Sequence, residues 1–300
     1  MTHSRPAIRE LLDSASLAPR RDLGQNFVAD PNTVRRIAAL ARVGPGDRVV
    51  EIGAGLGSLT LALADTGAHV TAVEVDRGVV ALLRDVVAHL DNVTVVEGDA
   101  MQLDWSNLLG ADPGWVLVAN LPYNVATPLI CDLLDDVPVI ERMIVMVQRE
   151  AAERFAAAPR TAQYGAVSLK TAYCATARIV GQVPASVFVP RPNVESSLVE
   201  ITRLPPPDTD PDALFALVRT AFGQRRKMLR RSLAGVIAPA TFDAAGISPT
   251  ARPEELDVTA WCRLTDAHLA AGVATDSRPT QAPSPPQEPP PTPEPRPPEK

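Results

Sequence analysis

The chain has 300 residues, of which 46% are hydrophobic and 4% aromatic, and its formal net charge at pH 7 is −6. This length and apolar fraction are typical of a globular protein that buries a large core, with one large domain and a smaller one or with two domains. The negative net charge excludes a generally basic surface, so any nucleic-acid binding has to come from local patches.

Three cysteines, Cys131, Cys174 and Cys262, are odd in number and widely spaced. Their pattern fits neither a disulfide framework nor a zinc site, so we expect reduced core thiols and no metal site. The amino terminus has no apolar signal core, and no apolar run is long enough to span a bilayer. We therefore expect a cytoplasmic protein without a membrane partner.

Helical and strand patterns alternate along most of the chain. Predicted helices cover residues 8–16, 31–42, 58–65, 76 to about 90, 127–134 and about 150–158, with residues 20–28 as a loop. Predicted strands cover residues 48–52, 70–75, 93–96, 115–119 and 142–147, and a closing pair covers 173–183 and 197–204. Strands that alternate with helices indicate a parallel, doubly wound α/β sheet.

The composition divides the chain into four parts. Residues 205–208 (PPPD) are typical of a linker, and the sheet is predicted within residues 23–204, after an N-terminal extension of residues 1–22. Residues 205–272 have helical periodicity in short blocks and predict a small helical domain. Residues 273–300 are rich in Pro, Ser and Glu and poor in large apolar residues, so we expect a disordered tail.

Polar or glycine-rich segments follow three consecutive predicted strands. Residues 51–57 (EIGAGLG) form a glycine-rich bend, Glu74 ends the second strand, and Asp99 follows the third. Glycines let the backbone approach a ligand, while Glu74 can accept both hydroxyls of a ribose and Asp99 an exocyclic amine. Each feature alone also fits a turn, a helix cap or a solvated acid. Together, at one edge of a sheet, they favour a ligand site.

The fourth strand ends in the turn of residues 120–124 (NLPYN). Pro122 has no N–H and disfavours helix at Leu121, so the turn should stay extended with its carbonyls pointing outward. The carboxamide of Asn120, a free carbonyl and the ring of Tyr123 suit a flat heterocycle that carries an amino group. The alternative is a plain turn with a buried Tyr.

These motifs, in this order, resemble the ribosomal RNA adenine dimethyltransferases, and among them the small-subunit 16S enzymes. The resemblance covers about residues 8–270. It depends on the segments 23–28 (LGQNFV), 51–57, 73–76 (VEVD), 98–100 (GDA), 120–124, 146–150 (MVQRE), 188–192 (FVPRP) and 222–227 (FGQRRK). Ala54 stands where Pro is usual and Val28 where Leu is usual, and neither change removes a polar contact.

The resemblance implies a Rossmann-like sheet that binds S-adenosylmethionine, followed by a small C-terminal helical domain. It implies that Asn26 and the backbone near Val28 close over this cofactor, that Glu74 holds its ribose, and that Asp99 binds its adenine amine. The full set of implied cofactor-binding residues is Asn26, Val28, Gly53, Gly55, Glu74, Asp99 and Asn120.

The expected target is the exocyclic amine of adenine, which is a poor nucleophile because its lone pair is delocalised into the ring. The Asn120 side-chain oxygen and the Leu121 carbonyl can each accept one N–H and favour a pyramidal nitrogen. Pro122 shapes the turn, and Tyr123 can stack on the base. Phe188 either covers the other face of the base or packs in the core, and both alternatives are open.

A cluster of basic residues contains no acid. Its members are Arg219, Arg225, Arg226, Lys227, Arg230 and Arg231. Spacings of three to five residues put several of them on one face of a predicted helix. We expect the last five to bind RNA phosphates, and the alternative is a solvated basic helix face.

Together these inferences predict an S-adenosylmethionine-dependent RNA adenine-N6 dimethyltransferase. The resemblance implies two adjacent adenosines in the 3′-terminal hairpin loop of 16S rRNA as its target, within the immature 30S subunit, and we expect a monomer. The nearest alternative is a 23S rRNA adenine-N6 methyltransferase that confers antibiotic resistance. Another is a non-catalytic ribosome-biogenesis or transcription factor on the same fold, against which the intact turn argues.

Overall fold

The computed structural model of the protein describes residues 2–276. The helices are α1 (Arg5–Ser14), α2 (Pro31–Ala41), α3 (Ser58–Ala64), α4 (Arg77–Val87), α5 (Trp105–Leu109), α6 (Ala126–Asp136), α7 (Arg149–Phe155), α8 (Ala166–Cys174), α9 (Pro211–Phe222), α10 (Leu229–Ser232), α11 (Pro239–Ala245) and α12 (Val258–Asp276). The strands are β1 (Phe27–Val28), β2 (Arg48–Ile52), β3 (His69–Glu74), β4 (Val93–Glu97), β5 (Trp115–Asn120), β6 (Ile140–Gln148), β7 (Ala175–Val183), β8 (Phe188–Val189) and β9 (Ser196–Arg203).

Seven strands form one sheet in the order β4-β3-β2-β5-β6-β9-β7. The first five pair in parallel, whereas β9 runs antiparallel to both β6 and β7. The predicted doubly wound α/β sheet is therefore confirmed. Because the strand order reverses between β2 and β5, a crevice forms at their carboxyl ends, where open sheets of this kind bind ligands.

Helices pack on both faces of the sheet because its central strands are apolar on both sides. In β5, every residue from Trp115 to Ala119 is buried. On one face, α2 buries Val34, Ile37 and Ala41, which recur at helical spacing. The helix begins at a defined point because the Asp30 carboxylate accepts a hydrogen bond from a backbone N–H of its first turn.

The C-terminal helices share a hydrophobic core with the sheet. Buried side chains such as Leu214 of α9, Phe242 of α11 and Trp261 of α12 belong to the same cluster as Leu117 of β5 and Leu169 of α8. The apolar contact is therefore continuous across the predicted linker of residues 205–208. The predicted boundary at this linker stays a prediction.

Two local predictions were wrong. Residues 20–28 are not loop throughout, because Phe27–Val28 forms β1 and pairs antiparallel with Phe188–Val189 of β8. The element predicted over 173–183 begins as the end of α8, and the strand β7 starts only at Ala175. Two-residue strands show no alternation, and α8 is buried on several sides, so neither has a clear periodic pattern.

The last helix also extends past its predicted end. It continues from Val258 to Asp276, whereas the tail was predicted to begin at residue 273. The remainder of that predicted tail lies outside the described residues. Within residues 2–276, no helix is both long enough and apolar enough to cross a lipid bilayer.

Candidate active site at the carboxyl edge of the sheet

A cleft with an empty volume of about 780 Å³ lies at the carboxyl edge of the sheet. Its walls are the segment that leads into β1, the ends of β2 and β3, and the turn after β5. It brings together nine of the predicted site residues, namely Asn26, Val28, Gly53, Gly55, Glu74, Asn120, Leu121, Pro122 and Tyr123.

The turn after β5 holds its shape through backbone hydrogen bonds. The Leu121 N–H donates to the carbonyl of Met146 on β6 at 3.1 Å, so pairing with β6 continues one residue past the strand. The Pro122 carbonyl accepts from the N–H groups of Val125 and Ala126 at 3.2 and 3.1 Å. These two bonds lie at the start of α6. The turn is thus anchored at both ends.

The orientation of the Asn120 carboxamide follows from its hydrogen bond. Its Nδ2 donates to the backbone carbonyl of Asn26 at 3.0 Å. A carbonyl can only accept, so the nitrogen must face Asn26, and Oδ1 must face the opposite way. The side chain is therefore held with its acceptor oxygen directed away from the segment of residues 20–28.

The same segment lies closely against the turn after β5. A Cβ on Gly24 would lie 3.0 Å from the Cβ of Pro122, and Gly24 has φ +63°, where other residues are strained. The Asn26 side chain donates to the Gly24 carbonyl at 3.0 Å. Gln25 donates to the Asp76 carboxylate at 3.0 Å and so ties the segment to the start of α4.

Tyr123 is held at its hydroxyl end. Its hydroxyl lies 2.7 Å from Oγ of Ser196, the first residue of β9, and Ser196 is buried. Partial burial raises the pKa of Tyr123, and the bond to Ser196 works in the opposite direction. The phenol is therefore neutral near pH 7, and its ring has a fixed tilt at the mouth of the cleft.

The glycine-rich bend crosses the floor of the cleft. Gly53 and Gly55 have φ of +72° and +57°, and the N–H groups of Gly53 and Ala54 both donate to the Val73 carbonyl of β3. A Cβ on Gly55 would lie 3.1 Å from the Phe27 ring. Glycine at this position therefore permits both the turn and the close approach of β1.

Glu74 is a buried carboxylate at the end of β3. One oxygen accepts from the Gly55 N–H at 2.8 Å, and the other accepts from the N–H groups of Val75 and Asp76 at 3.0 Å each. Burial raises its pKa, whereas the three backbone donors lower it. A carboxylate has about four acceptor positions, so three bonds fix its orientation and leave capacity for a ligand.

Glu51 is a second buried carboxyl group on the cleft, and sequence reasoning did not select it as a site residue. It lies at the end of β2 and accepts a hydrogen bond from the Thr60 hydroxyl at 2.6 Å. Burial raises the pKa of Glu51 to about 8, so it is mostly protonated at neutral pH. A lone acid in the otherwise apolar run of residues 49–52 was the signal that could have identified it.

Two of the predicted catalytic and cofactor-binding residues do not line the cleft. Phe188 is 0% exposed and packs in a hydrophobic cluster with Val28 and Leu198, and of the two alternatives left open this packing favours the core role. Asp99 follows β4 at the same edge, and its carboxylate accepts from the Met101 N–H and the Gln102 side chain. Its predicted contact with an adenine amine stays a prediction.

The basic segment, residues 225–231, divides into two sets. Arg225 forms an ion pair with Glu254 and donates to the carbonyl of Ala162 at 2.9 Å. The other four cations are exposed, and none forms an ion pair with another residue in the range 2–276; they are Arg226, Lys227, Arg230 and Arg231. Because α9 ends at Phe222 and α10 begins at Leu229, the predicted shared helix face was wrong.

The fold and the cleft define the methyltransferase class. A dimethyladenosine transferase from Plasmodium falciparum has the same fold, with a TM-score of 0.71 at 23% identity over 81% of this chain and 97% of that one. The 23S rRNA methyltransferase ErmE has a TM-score of 0.61 at 28% identity, over 81% of this chain and 99% of its own.

Sequence comparison narrows this class to one family. The family described as ribosomal RNA adenine dimethylase matches residues 17–268. A Cutibacterium acnes protein named ribosomal RNA small subunit methyltransferase A is 46% identical, over 90% of this chain and 96% of its own length. A Kineococcus radiotolerans protein of the same name is 45% identical over 92% and 94%. The chain belongs to the ribosomal RNA adenine dimethylase family, which confirms the predicted resemblance.

Proposed function

We propose that the protein transfers methyl groups from S-adenosylmethionine to the N6 amines of two adjacent adenosines in the 3′-terminal hairpin loop of 16S rRNA, during maturation of the 30S subunit. The observation that carries this proposal is the Asn120 turn, whose oriented carboxamide shares one cleft with the buried Glu74. Relatives named for the small ribosomal subunit reach 46% identity, compared with 28% for the 23S rRNA methyltransferase.

The chemistry of the cleft fits this cofactor. Glu74 offers a buried, oriented carboxylate with one remaining acceptor position to a ribose hydroxyl, and the positive φ of Gly53 and Gly55 lets a ligand approach the backbone. When bound, S-adenosylmethionine supplies a methyl group activated by a positively charged sulfur. The proposed cofactor contacts are Asn26, Val28, Gly53, Gly55, Glu74, Asp99 and Asn120.

The chain's contribution to the reaction is to hold the amine in a reactive geometry. We infer that Asn120 Oδ1 and the Leu121 carbonyl oxygen each accept one N–H of the target amine. These two acceptors favour a pyramidal nitrogen with its lone pair directed away from the ring, and they stabilise the positive charge that develops on it. Alignment of the amine contributes further. The amine needs no general base before the cationic product forms.

Tyr123 supplies the expected stacking surface for the target base. Its ring tilt is fixed by the bond between its hydroxyl and Ser196. A base within a duplex cannot reach this surface, so the target adenosine must be unpaired or flipped out. After the first methylation one N–H remains, and the base has to rotate or rebind before the second transfer.

RNA binding is assigned to the exposed cations of the basic segment, which are Arg226, Lys227, Arg230 and Arg231. Arg225 is removed from the predicted set, because Glu254 already neutralises it. The proposed substrate implies that the protein acts in the cytoplasm, and we expect it to act as a monomer.

Radiolabelled methyl transfer tests this proposal. The purified protein is given tritiated S-adenosylmethionine with 30S subunits that lack these methyl groups or, separately, with naked 23S rRNA. We expect label in the 30S subunits only. Label in 23S rRNA would favour the resistance-type alternative. Binding to 30S subunits without any transfer would favour the non-catalytic factor.

A further inference from the structure

Arg149 follows β6, the strand whose Met146 pairs with Asn120. It is the residue directly after β6, and its backbone N–H donates to the Glu195 carbonyl at 3.1 Å. Glu195 precedes Ser196, whose hydroxyl is bonded to that of Tyr123. In the sheet, Gln148 pairs with Ser196, so Arg149 and Glu195 together extend past the end of the β6–β9 ladder next to the catalytic turn.

Among the described residues, the Arg149 guanidinium pairs only with carboxylates, those of Glu195 and Glu153. Its Nη1 lies 3.2 Å from Glu195 and its Nε lies 3.8 Å from Glu153. The side chains of Arg149 and Glu195 are 57% and 56% exposed. Exposed ion pairs of this kind contribute little to stability, so an RNA phosphate can replace the carboxylates at a small cost in folding free energy.

Arg225 shows the contrasting arrangement. Besides its ion pair with Glu254, it donates to the backbone carbonyls of Thr161 and Ala162, and a phosphate that took these N–H groups would leave both carbonyls without this donor. Arg225 therefore connects its own segment to Glu254 and to residues 161–162. Among the described residues, the Arg149 guanidinium connects only to Glu195 and Glu153. Among the described residues, Arg149 is held only by carboxylates that another anion can replace, and it lies near the proposed site for an RNA base. Such an arginine is suited to a phosphate.

We propose that Arg149 binds a backbone phosphate next to the flipped adenosine, and that Glu195 holds the guanidinium until the RNA displaces it. This inference deepens the proposed function and rests on it. Arg149 then helps to fix the RNA backbone near the base on Tyr123. Glu195 competes with the phosphate, so its charge lowers the affinity for RNA through Arg149.

A double-mutant cycle on RNA affinity tests the inference. The variants are Arg149→Ala, Glu195→Gln and their combination, with Arg84→Ala, an exposed arginine of α4, as a control for loss of one charge. Affinity for undermethylated 30S subunits is measured at several salt concentrations. Affinity for S-adenosylhomocysteine and the melting temperature are measured alongside.

We expect Arg149→Ala to weaken 30S binding about tenfold, the scale of a hydrogen-bonded charged contact. The slope of log K against log salt should become shallower by about 0.7, as for one phosphate contact on a single strand. Glu195→Gln should strengthen binding, and this gain should vanish when Arg149 is absent. Arg84→Ala should leave binding close to wild type, and cofactor affinity and melting should not change in any variant.

Two results would overturn the inference. One is an Arg149→Ala variant with wild-type affinity and salt slope. The other is a gain from Glu195→Gln that persists without Arg149, because this would show a general charge effect. Wild-type protein that binds 30S subunits without methylating them would contradict the proposed function instead, and the affinities of the variants would still decide the role of Arg149.

Discussion

The cleft and the basic segment hold their polar side chains in opposite ways. In the cleft, Asn120 and Glu74 are fixed by hydrogen bonds to the backbone. In the basic segment, Arg226 and Lys227 are exposed and form no ion pair with any residue that the structure describes. Fixed dipoles stabilise a transition state because they need not reorganise during the reaction. Exposed cations suit a polyanion, because released counterions supply much of the affinity.

The largest effect should follow from a substitution in the cleft, where hydrogen bonds fix the polar side chains. Asn120→Ala removes an acceptor that acts mainly in the transition state, so kcat should fall roughly 10²-fold or more, with a smaller change in KM. Methyl transfer to saturating 30S subunits measures it. Asn124→Ala, which removes the same amide from an exposed position of the turn, serves as the control. Equal losses in both variants would show that the turn, and not the Asn120 amide, is what matters.

The next largest effect concerns the buried carboxylate. Glu74→Ala should weaken binding of S-adenosylhomocysteine by about 1–3 kcal/mol, the scale of hydrogen bonds to a charged group. Calorimetry measures the affinity. Glu97→Ala is a matched control, because Glu97 pairs with Glu74 in the sheet register but is exposed. Unchanged affinity in Glu74→Ala would leave Glu74 as a structural residue that only orients the glycine-rich bend.

Substitutions in the two sets of the basic segment should have different effects on 30S binding and on stability. Replacing Arg226 and Lys227 by Ala should weaken 30S binding and flatten the salt slope by up to about 0.7–0.9 per lost contact, with an unchanged melting curve. Arg225→Ala should do the reverse and lower the stability by roughly 1–2 kcal/mol, because it removes an ion pair and backbone contacts. Filter binding and thermal melting of both variants measure these effects. Equal changes of 30S affinity and of melting temperature in both variants would contradict the division into two sets.

A further effect is a pH dependence of stability within the cleft. Burial raises the pKa of Glu51 to about 8, from an ordinary value of 4.5. Between these values the folded state holds a proton that the unfolded chain has lost, so the free energy of unfolding should fall as the pH rises. Glu51→Gln removes this contribution, and its curve should be flatter from pH 5 to 8 in urea denaturation. Parallel curves would show that Glu51 is ionised in the folded protein.

The sheet and most of the cleft were predictable because their signals are local. Buried strands such as residues 115–119 are apolar runs, and the polar residues that follow them meet at one edge of any parallel sheet. The ordered motifs then identified the family. Nine predicted site residues therefore line a single cleft.

Other predictions failed or stayed open because they depend on contacts between distant residues. The pairing of β1 with β8 joins Phe27 to Val189, and two-residue strands leave no periodic pattern. The neutralisation of Arg225 depends on Glu254, 29 residues further along the chain. Whether Phe188 stacks on a base or packs in the core depends on Val28 and Leu198, which the local sequence around Phe188 does not reveal.

Identification of the methylated nucleoside tests the central claim most directly. The claim is that the Asn120 turn binds an adenine amine between two acceptor oxygens. After complete reaction with undermethylated 30S subunits, the 16S rRNA is digested to nucleosides and analysed by mass spectrometry. We predict N6,N6-dimethyladenosine as the product, from two adjacent adenosines of the 3′-terminal hairpin loop. Methyl groups on a ribose, a ring carbon or guanosine would contradict the account.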